Sequence, residues 1–220
     1  MSAPPIPCPL CANLADRALS QFERDFCHCT ACDLVFVPHA QHLDPAVEKA
    51  RYETHENTMD NAGYVAMFER FLAIFAACAP GVRTVLDYGC GPGPVLVELL
   101  RRRGYRAEGF DPFFARDADL LRPFDAVVST ETFEHFARPD REMERLSRLV
   151  RPGGVLAVMT LFHSGRDGLA DWWYMRDQTH VAFYSHATLH WISRHFGFDV
   201  VFQEPKNIIV MRRRLEPEGR

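Results

Sequence analysis

The chain has 220 residues, 47% of them hydrophobic, and a formal net charge of −4 from 25 Lys and Arg against 29 Asp and Glu. That length suits one α/β domain plus a small appendage, with enough apolar residues for a sizeable core. The acidic balance argues against a surface that coats nucleic acid, and no apolar run, the longest being 71–79 and 155–162, is long enough to span a membrane.

The first residues carry no charged-then-apolar leader, so the expectation is a cytoplasmic protein. Five of the seven cysteines fall within the first 32 residues. Cys8-x-x-Cys11 and Cys29-x-x-Cys32 stand seventeen residues apart, the spacing of a four-thiolate zinc ribbon. Each Cys-x-x-Cys turn points two sulfurs at one place, and two such turns complete a tetrahedron. About thirty residues bury too little apolar surface to fold alone, so Zn2+ would supply the missing stability. Four protein ligands leave no open position, which makes the expected metal structural. Cys27 and His28 are spare ligands that could replace one of the four. Disulfides and a redox pair at Cys8 and Cys11 are the competing readings; neither a leader nor a thioredoxin-like pattern accompanies them.

Residues 33–38 read as a short strand closing this module, which spans 1–38. A linker and helical lid follow over 39–80, with an amphipathic helix at 63–79 ended by Pro80-Gly81. The remaining 81–220 form the main domain. Residues 83–87 read as a buried strand, then comes Asp87-Tyr88-Gly89-Cys90-Gly91-Pro92-Gly93, then a helix from Pro94 to 104. Strand, glycine loop and helix make the first half of a nucleotide-binding unit. A glycine triplet alone fits a dinucleotide as well. Asp87 discriminates: a carboxylate there would repel a pyrophosphate, whereas S-adenosylmethionine offers an ammonium and a sulfonium. The next strand, 105–111, ends in Asp111, placed to accept hydrogen bonds from ribose hydroxyls.

Further segments follow in order: Gly109-Phe-Asp111-Pro, then 124–139 with Glu131, Glu134 and His135, then Leu149-Val-Arg-Pro-Gly153-Gly154. With Asp87-x-Gly89-x-Gly91-x-Gly93 these resemble the motifs of class I, Rossmann-like S-adenosylmethionine-dependent methyltransferases over about residues 84–213. The N-terminal part resembles the subset that carries a zinc ribbon, and Tyr52-x-x-His55-x-Asn57 resembles a segment recurring between ribbon and core there. The resemblance implies an α/β fold: a seven-stranded-type sheet with helices on both faces and a reversed final hairpin at 198–204 and 208–213. It implies cofactor contacts from Asp87, Gly89, Gly91, Gly93, Asp111, Glu131 and Tyr52. One departure stands out. Only thirteen residues separate Asp111 from Asp125, too few for the usual second crossover helix and third strand, so the sheet is expected to be abbreviated there. Phe113 and Phe114 could then wall the adenine.

Methyl transfer needs mainly alignment of acceptor, methyl carbon and sulfur, with a base only where the acceptor is protonated. His180, His135 and Glu131 are the candidate catalytic groups, and His55 a weaker one. His180 lies in a connection, 163–185, dense in Trp, Tyr, His and Asp, which reads as a substrate-facing lid; Ser185 is placed to cap the helix after it. The implied function is methyl transfer to a small molecule or metabolite. An RNA base methyltransferase is the alternative, although the ribbon's mixed charge (Arg17, Arg24 and His28 beside Asp16, Glu23, Asp25 and Asp33) makes a poor phosphate track. A non-catalytic binding module on the same fold is a second alternative. The sequence fixes neither the acceptor atom nor the oligomeric state.

Overall fold

Short buried strands alternating with amphipathic helices dictate the core. In the computed structural model, which describes residues 5–54 and 57–215, the main sheet contains β5 (Thr84–Tyr88), β6 (Arg106–Phe110), β7 (Phe124–Thr130), β8 (Val150–Met159), β10 (Phe198–Gln203) and β11 (Ile208–Arg213). Its order is β10-β11-β8-β7-β5-β6. The strands β6, β5, β7 and β8 run parallel, and β11 and β10 close the sheet antiparallel.

Alternation of side chains along the strands gives the sheet two apolar faces. Val85, Ala126, Val128, Ala157 and Val210 face α2 (Ala62–Cys78) and α3 (Val95–Arg102). Leu86, Val127, Leu156, Val158 and Ile209 face α4 (Pro139–Leu149) and α5 (His186–His195). Ser185 caps α5 as expected, in a reciprocal capping box with Thr188. The chain between Asp111 and β7 forms neither strand nor helix. The sheet therefore has six strands rather than seven, and β6 becomes an edge, where Arg122 pairs with Glu108 and lies over the Phe124 ring at 4.3 Å.

The N-terminal part builds a second sheet from β1 (Ile6–Pro7), β2 (Leu14–Gln21), β3 (Arg24–His28) and β4 (Val35–Phe36). Its fifth strand, β9 (Ala182–Phe183), comes from the connection between β8 and α5. Cys8, Leu10, Cys27 and Leu34 pack in the same apolar cluster as Phe133, Tyr184 and Leu189. The polar linker also holds a helix absent from the sequence reading, α1 (Pro45–Tyr52), capped by the Asp44 side chain. Two arginines of β11 are tied to the backbone: Arg212 donates to the carbonyls of Gly153 and Cys78, and Arg213 to that of Val150. Among the described residues no helix is long and apolar enough to cross a membrane.

Candidate functional site

The chain order reverses across β5, with β6 on one side and β7 on the other. In open parallel sheets such a switch point leaves a crevice beyond the strand ends. A cleft of about 710 Å³ opens there, and the glycine loop, Asp111, Glu131, Glu134, His135, His180 and Tyr52 all line it.

Local sterics explain the loop. Gly89 has φ +89°, and a Cβ there would stand 2.3 Å from the Thr132 side chain. At Gly93 a Cβ would stand 2.2 Å from the Asn57 carbonyl oxygen, so the segment before α2 lies directly on the loop. Gly91 has φ +65° with open space beside it, and its N–H donates to Asp111 Oδ2 at 3.1 Å. Asp111 Oδ1 accepts from the backbone of Phe113 at 2.8 Å and Phe114 at 3.2 Å, which fixes the carboxylate at the end of β6. Both phenylalanine rings border the cleft.

Asp87 is 2% exposed, and its Oδ1 has no hydrogen-bond partner among the described residues. Burial first, and the neighbouring Asp111 second, push its carboxyl up to about 8. A buried carboxylate without a donor costs free energy unless a ligand supplies positive charge or a proton. A carboxyl so placed at the floor of the cleft holds a proton or faces a positive charge.

The other wall carries the chemistry-bearing groups. Glu131 is exposed to the cleft at left-handed backbone angles (φ +49°), its N–H bonded to Met159 at 2.8 Å. Partial desolvation inside the cleft, then the neighbouring Glu134 charge, pushes its carboxyl up to about 8. Glu134 is fully buried and accepts from Thr160 Oγ1 at 2.8 Å and from the Tyr174 hydroxyl. His135 Nδ1 sits 2.9 Å from the Thr179 carbonyl, and His180 Nδ1 2.8 Å from that of Tyr174. Burial holds the His180 imidazole below its ordinary range. Tyr52, at the end of α1, donates to Glu48 at 2.6 Å and packs its ring against His135 and Phe113. The structure thus gathers Asp87, the three glycines, Asp111, Tyr52, Glu131, His135 and His180 around one cleft. His55 lies outside the described residues.

The sequence assigned no site role to Tyr64, Tyr174 or Arg24, and named Asn57 only through the recurring segment before α2. Tyr64 and Asn57 line the cleft from the segment around α2. Tyr174 joins the lid to Glu134. Arg24, buried in β3, donates to four lid carbonyls: Met175, Asp177, Gln178 and His180, at 2.6–3.1 Å. Asp33 adds two further ties, bonding Ser185 Oγ at 2.5 Å and, through its carbonyl, His163 at 3.1 Å. Both ends and the middle of the 163–185 connection are therefore fastened to the N-terminal sheet.

The four paired cysteines converge as well. Cys8, Cys11, Cys29 and Cys32 place their sulfurs within 4.8 Å of one another, with 3.6 Å between Cys8 and Cys32 and 3.4 Å between Cys11 and Cys29. The two turns repeat each other. Ala12 and Asp33 both take φ near +60°, and their N–H groups bond back to Cys8 and Cys29 at 2.9 and 2.7 Å. Cys27 stands outside the group of four, and His28 bonds Asp33 at 2.7 Å.

A family model described as a methyltransferase domain matches residues 58–203. An uncharacterized methyltransferase of Mycobacterium tuberculosis is 36% identical over 120 residues, covering 44% of this chain and 61% of the relative. The ubiquinone biosynthesis O-methyltransferase of Nitrobacter winogradskyi is 29% identical over 107 residues, covering 38% and 40%. The matches thus span less than two thirds of these relatives' lengths. An O-methyltransferase family protein from Burkholderia thailandensis shares the fold with a TM-score of 0.53 at 18% identity, over 78% of this chain and 64% of that one. A SAM-dependent methyltransferase from Archaeoglobus fulgidus gives the same score and identity over 68% and 94%.

Proposed function

The chain belongs to the methyltransferase-domain family, and on that premise we propose that it transfers the methyl group of S-adenosylmethionine to a small-molecule acceptor. The observation that carries this reading is Asp87: a buried carboxylate with an unbonded oxygen, beneath a glycine loop, at the floor of a cleft. That geometry suits a ligand that brings positive charge and no phosphate. Asp87 would face the cofactor's cationic end, Gly89, Gly91 and Gly93 would let it approach the backbone, and Asp111 would take the ribose hydroxyls. Phe113, Phe114 and Tyr52 would wall the rest, replacing what the missing third strand ordinarily carries. When bound, the cofactor supplies an activated methyl group on a sulfonium.

The chain's own residues then orient the acceptor, exclude water and receive a proton where the acceptor has one. Glu131, His135 and His180 stand where those tasks fall, and a carboxyl raised toward the working pH, as desolvation and Glu134 raise that of Glu131, is matched to proton transfer. The relative named as an O-methyltransferase supports a hydroxylated acceptor.

We further propose that Cys8, Cys11, Cys29 and Cys32 hold one structural Zn2+. Tetrahedral Zn–S bonds of about 2.3 Å separate sulfurs by roughly 3.8 Å, and the 3.4 and 3.6 Å pairs fit that spacing once thiols become thiolates. Calorimetry tests the main reading. One cofactor per chain is expected to bind, and no binding at near-millimolar S-adenosylmethionine would reject it. Metal analysis tests the second, with one zinc per chain expected.

A further inference from the structure

The cleft does not end at Asp111. The Phe110 ring, next to it in the chain, packs on Tyr88 at 5.1 Å, and the Tyr88 hydroxyl reaches α4, where Glu142 and Arg145 also line the cleft. A third strand and its crossover helix would cover this side of β5 and β6. The chain after Asp111 forms neither, so α4 meets Tyr88 directly. Glu142 is thus a carboxylate of the cleft to which methyl transfer gives no task. Its setting is not that of a solvated ion pair. Tyr88 is 3% exposed, and its hydroxyl donates to Glu142 Oε2 while accepting from Arg145 Nη1 at 2.9 Å. Arg145 Nη1 also stands 3.5 and 3.4 Å from the two carboxylate oxygens. A hydroxyl anchored in the sheet therefore holds both charged groups in register. Among the described residues Glu142 Oε1 has no partner nearer than 3.5 Å, and the Arg145 guanidinium keeps N–H groups beyond the one it uses.

We propose that Glu142 and Arg145 select the base of the cofactor from α4: Glu142 Oε1 accepts from the exocyclic amino group of adenine, and Arg145 donates to the ring nitrogen beside it. Adenine has two apolar faces and one edge on which a donor and an acceptor stand side by side. Phe110, Tyr88 and Phe136 supply apolar ring surface here, and Glu142 and Arg145 supply the matching acceptor and donor. Asp111, which ends β6 next to Phe110, is the group that would take the ribose. Tyr88 is a positioning residue, since its hydroxyl sets where the carboxylate and the guanidinium stand. The amino edge is thereby read by a helix that follows β7, in place of the third strand that this chain lacks. This assignment rests on the methyltransferase reading and adds to it the residues that tell adenine from other bases. Hypoxanthine is the discriminating case. It carries a carbonyl where adenine has the amino group and an N–H where adenine has a bare nitrogen, so its carbonyl oxygen would face the carboxylate.

The test is calorimetric and needs no turnover. The full chain is titrated with S-adenosylhomocysteine and with S-inosylhomocysteine, which differ only at this edge of the base. The unsubstituted chain should prefer the adenosyl compound by roughly tenfold or more, the effect of one charge-assisted hydrogen bond. Glu142→Gln keeps an acceptor for the Tyr88 hydroxyl, so the fold should hold, and its amide can donate to a carbonyl as well as accept. It should lower affinity for the adenosyl compound, hold or raise affinity for the inosyl one, and so shrink the preference to about threefold or less. Glu142→Asp, which retains the charge and withdraws it from the slot, is the second variant and should shift the ratio in the same direction. Equal affinity of the unsubstituted chain for the two compounds overturns the assignment, as does a preference that both variants leave unchanged. An unsubstituted chain that binds neither compound instead rejects the methyltransferase reading as a whole.

Discussion

Asp87 couples ligand entry to a proton. Its carboxyl, held near 8 by burial and by Asp111, is largely protonated at neutral pH in the free protein. A cationic ligand favours the ionised form, so binding expels the proton. Affinity for S-adenosylmethionine should therefore fall as pH drops below about 8, approaching tenfold per unit for one linked proton. Calorimetry in buffers of differing ionisation heat would measure the proton released. Stability of the free protein runs the other way. The folded state binds this proton between the unfolded pKa and about 8, so stability is full at the acid end of that window and is lost as pH rises through it. Asp87→Asn should raise the free protein's Tm above pH 8, yet weaken the cofactor roughly 10- to 100-fold, about 1.4 to 2.7 kcal/mol. Gly93 offers a steric counterpart, since any Cβ meets the Asn57 carbonyl at 2.2 Å. Gly93→Ala should displace that segment from the loop and weaken cofactor binding, with secondary structure by circular dichroism unchanged.

At the scale of elements, the lid is held by a strand that belongs to the other sheet. Arg24 gives its guanidinium to four carbonyls within residues 175–180, among them that of His180. Charged hydrogen bonds of this kind are worth about 1.5–3 kcal/mol each when a partner is removed, and strand pairing of β4 with β9 remains to resist the loss. Arg24→Ala should therefore loosen the lid without unfolding the sheet: turnover should fall at least tenfold, cofactor affinity should change little, and proteolysis should gain sites within 163–185. Equal losses of turnover and cofactor affinity would deny the lid this separate role. The clamp was not legible in the sequence, because Arg24 and its partners lie about 150 residues apart with no periodic pattern between them. Strand β9 is two residues long, and the β2–β3 hairpin turns on Phe22 and Glu23 at positive φ where Asn-Gly would have announced it. Helix α1 was readable from Asp44-Pro45, a cap followed by a first-turn proline, but it buries no residue fully and so lacks an apolar stripe. By contrast, the glycine loop, Asp111 and the cysteine pairs were legible, because their chemistry is carried by residues adjacent in sequence. The thirteen residues after Asp111 announced the missing third strand for the same reason: a crossover has a minimum length.

For the whole molecule, the cysteine tetrad and the cleft are parts of one mechanical unit. The second Cys-x-x-Cys turn ends at Asp33, which bonds Ser185, the cap of α5, and His163, the first residue after Phe162. Strand β4 follows directly and pairs with β9, two residues beyond His180. The tetrad's neighbours in the apolar cluster include Phe133 and Tyr184, and the Tyr184 hydroxyl donates to the Phe133 carbonyl at 3.1 Å, beside Glu134. Structural zinc sites contribute binding free energy directly to folding, because the unfolded chain holds no preformed site. Loss of the proposed zinc from the tetrad should then free both ends of the lid and with them His180, whereas Asp87 and the glycine loop belong to β5 on the central sheet. The expected order of loss is specific. Stripping zinc with a chelator, or replacing Cys32 with Ser, should abolish methyl transfer and lower Tm before it abolishes cofactor binding. Residues of β2, β3 and 163–185 should gain hydrogen exchange together while β5, β7 and β8 stay protected. Were the lid to keep its protection after zinc removal, the two sheets would be independent and the tetrad would be an appendage to the cleft rather than its foundation.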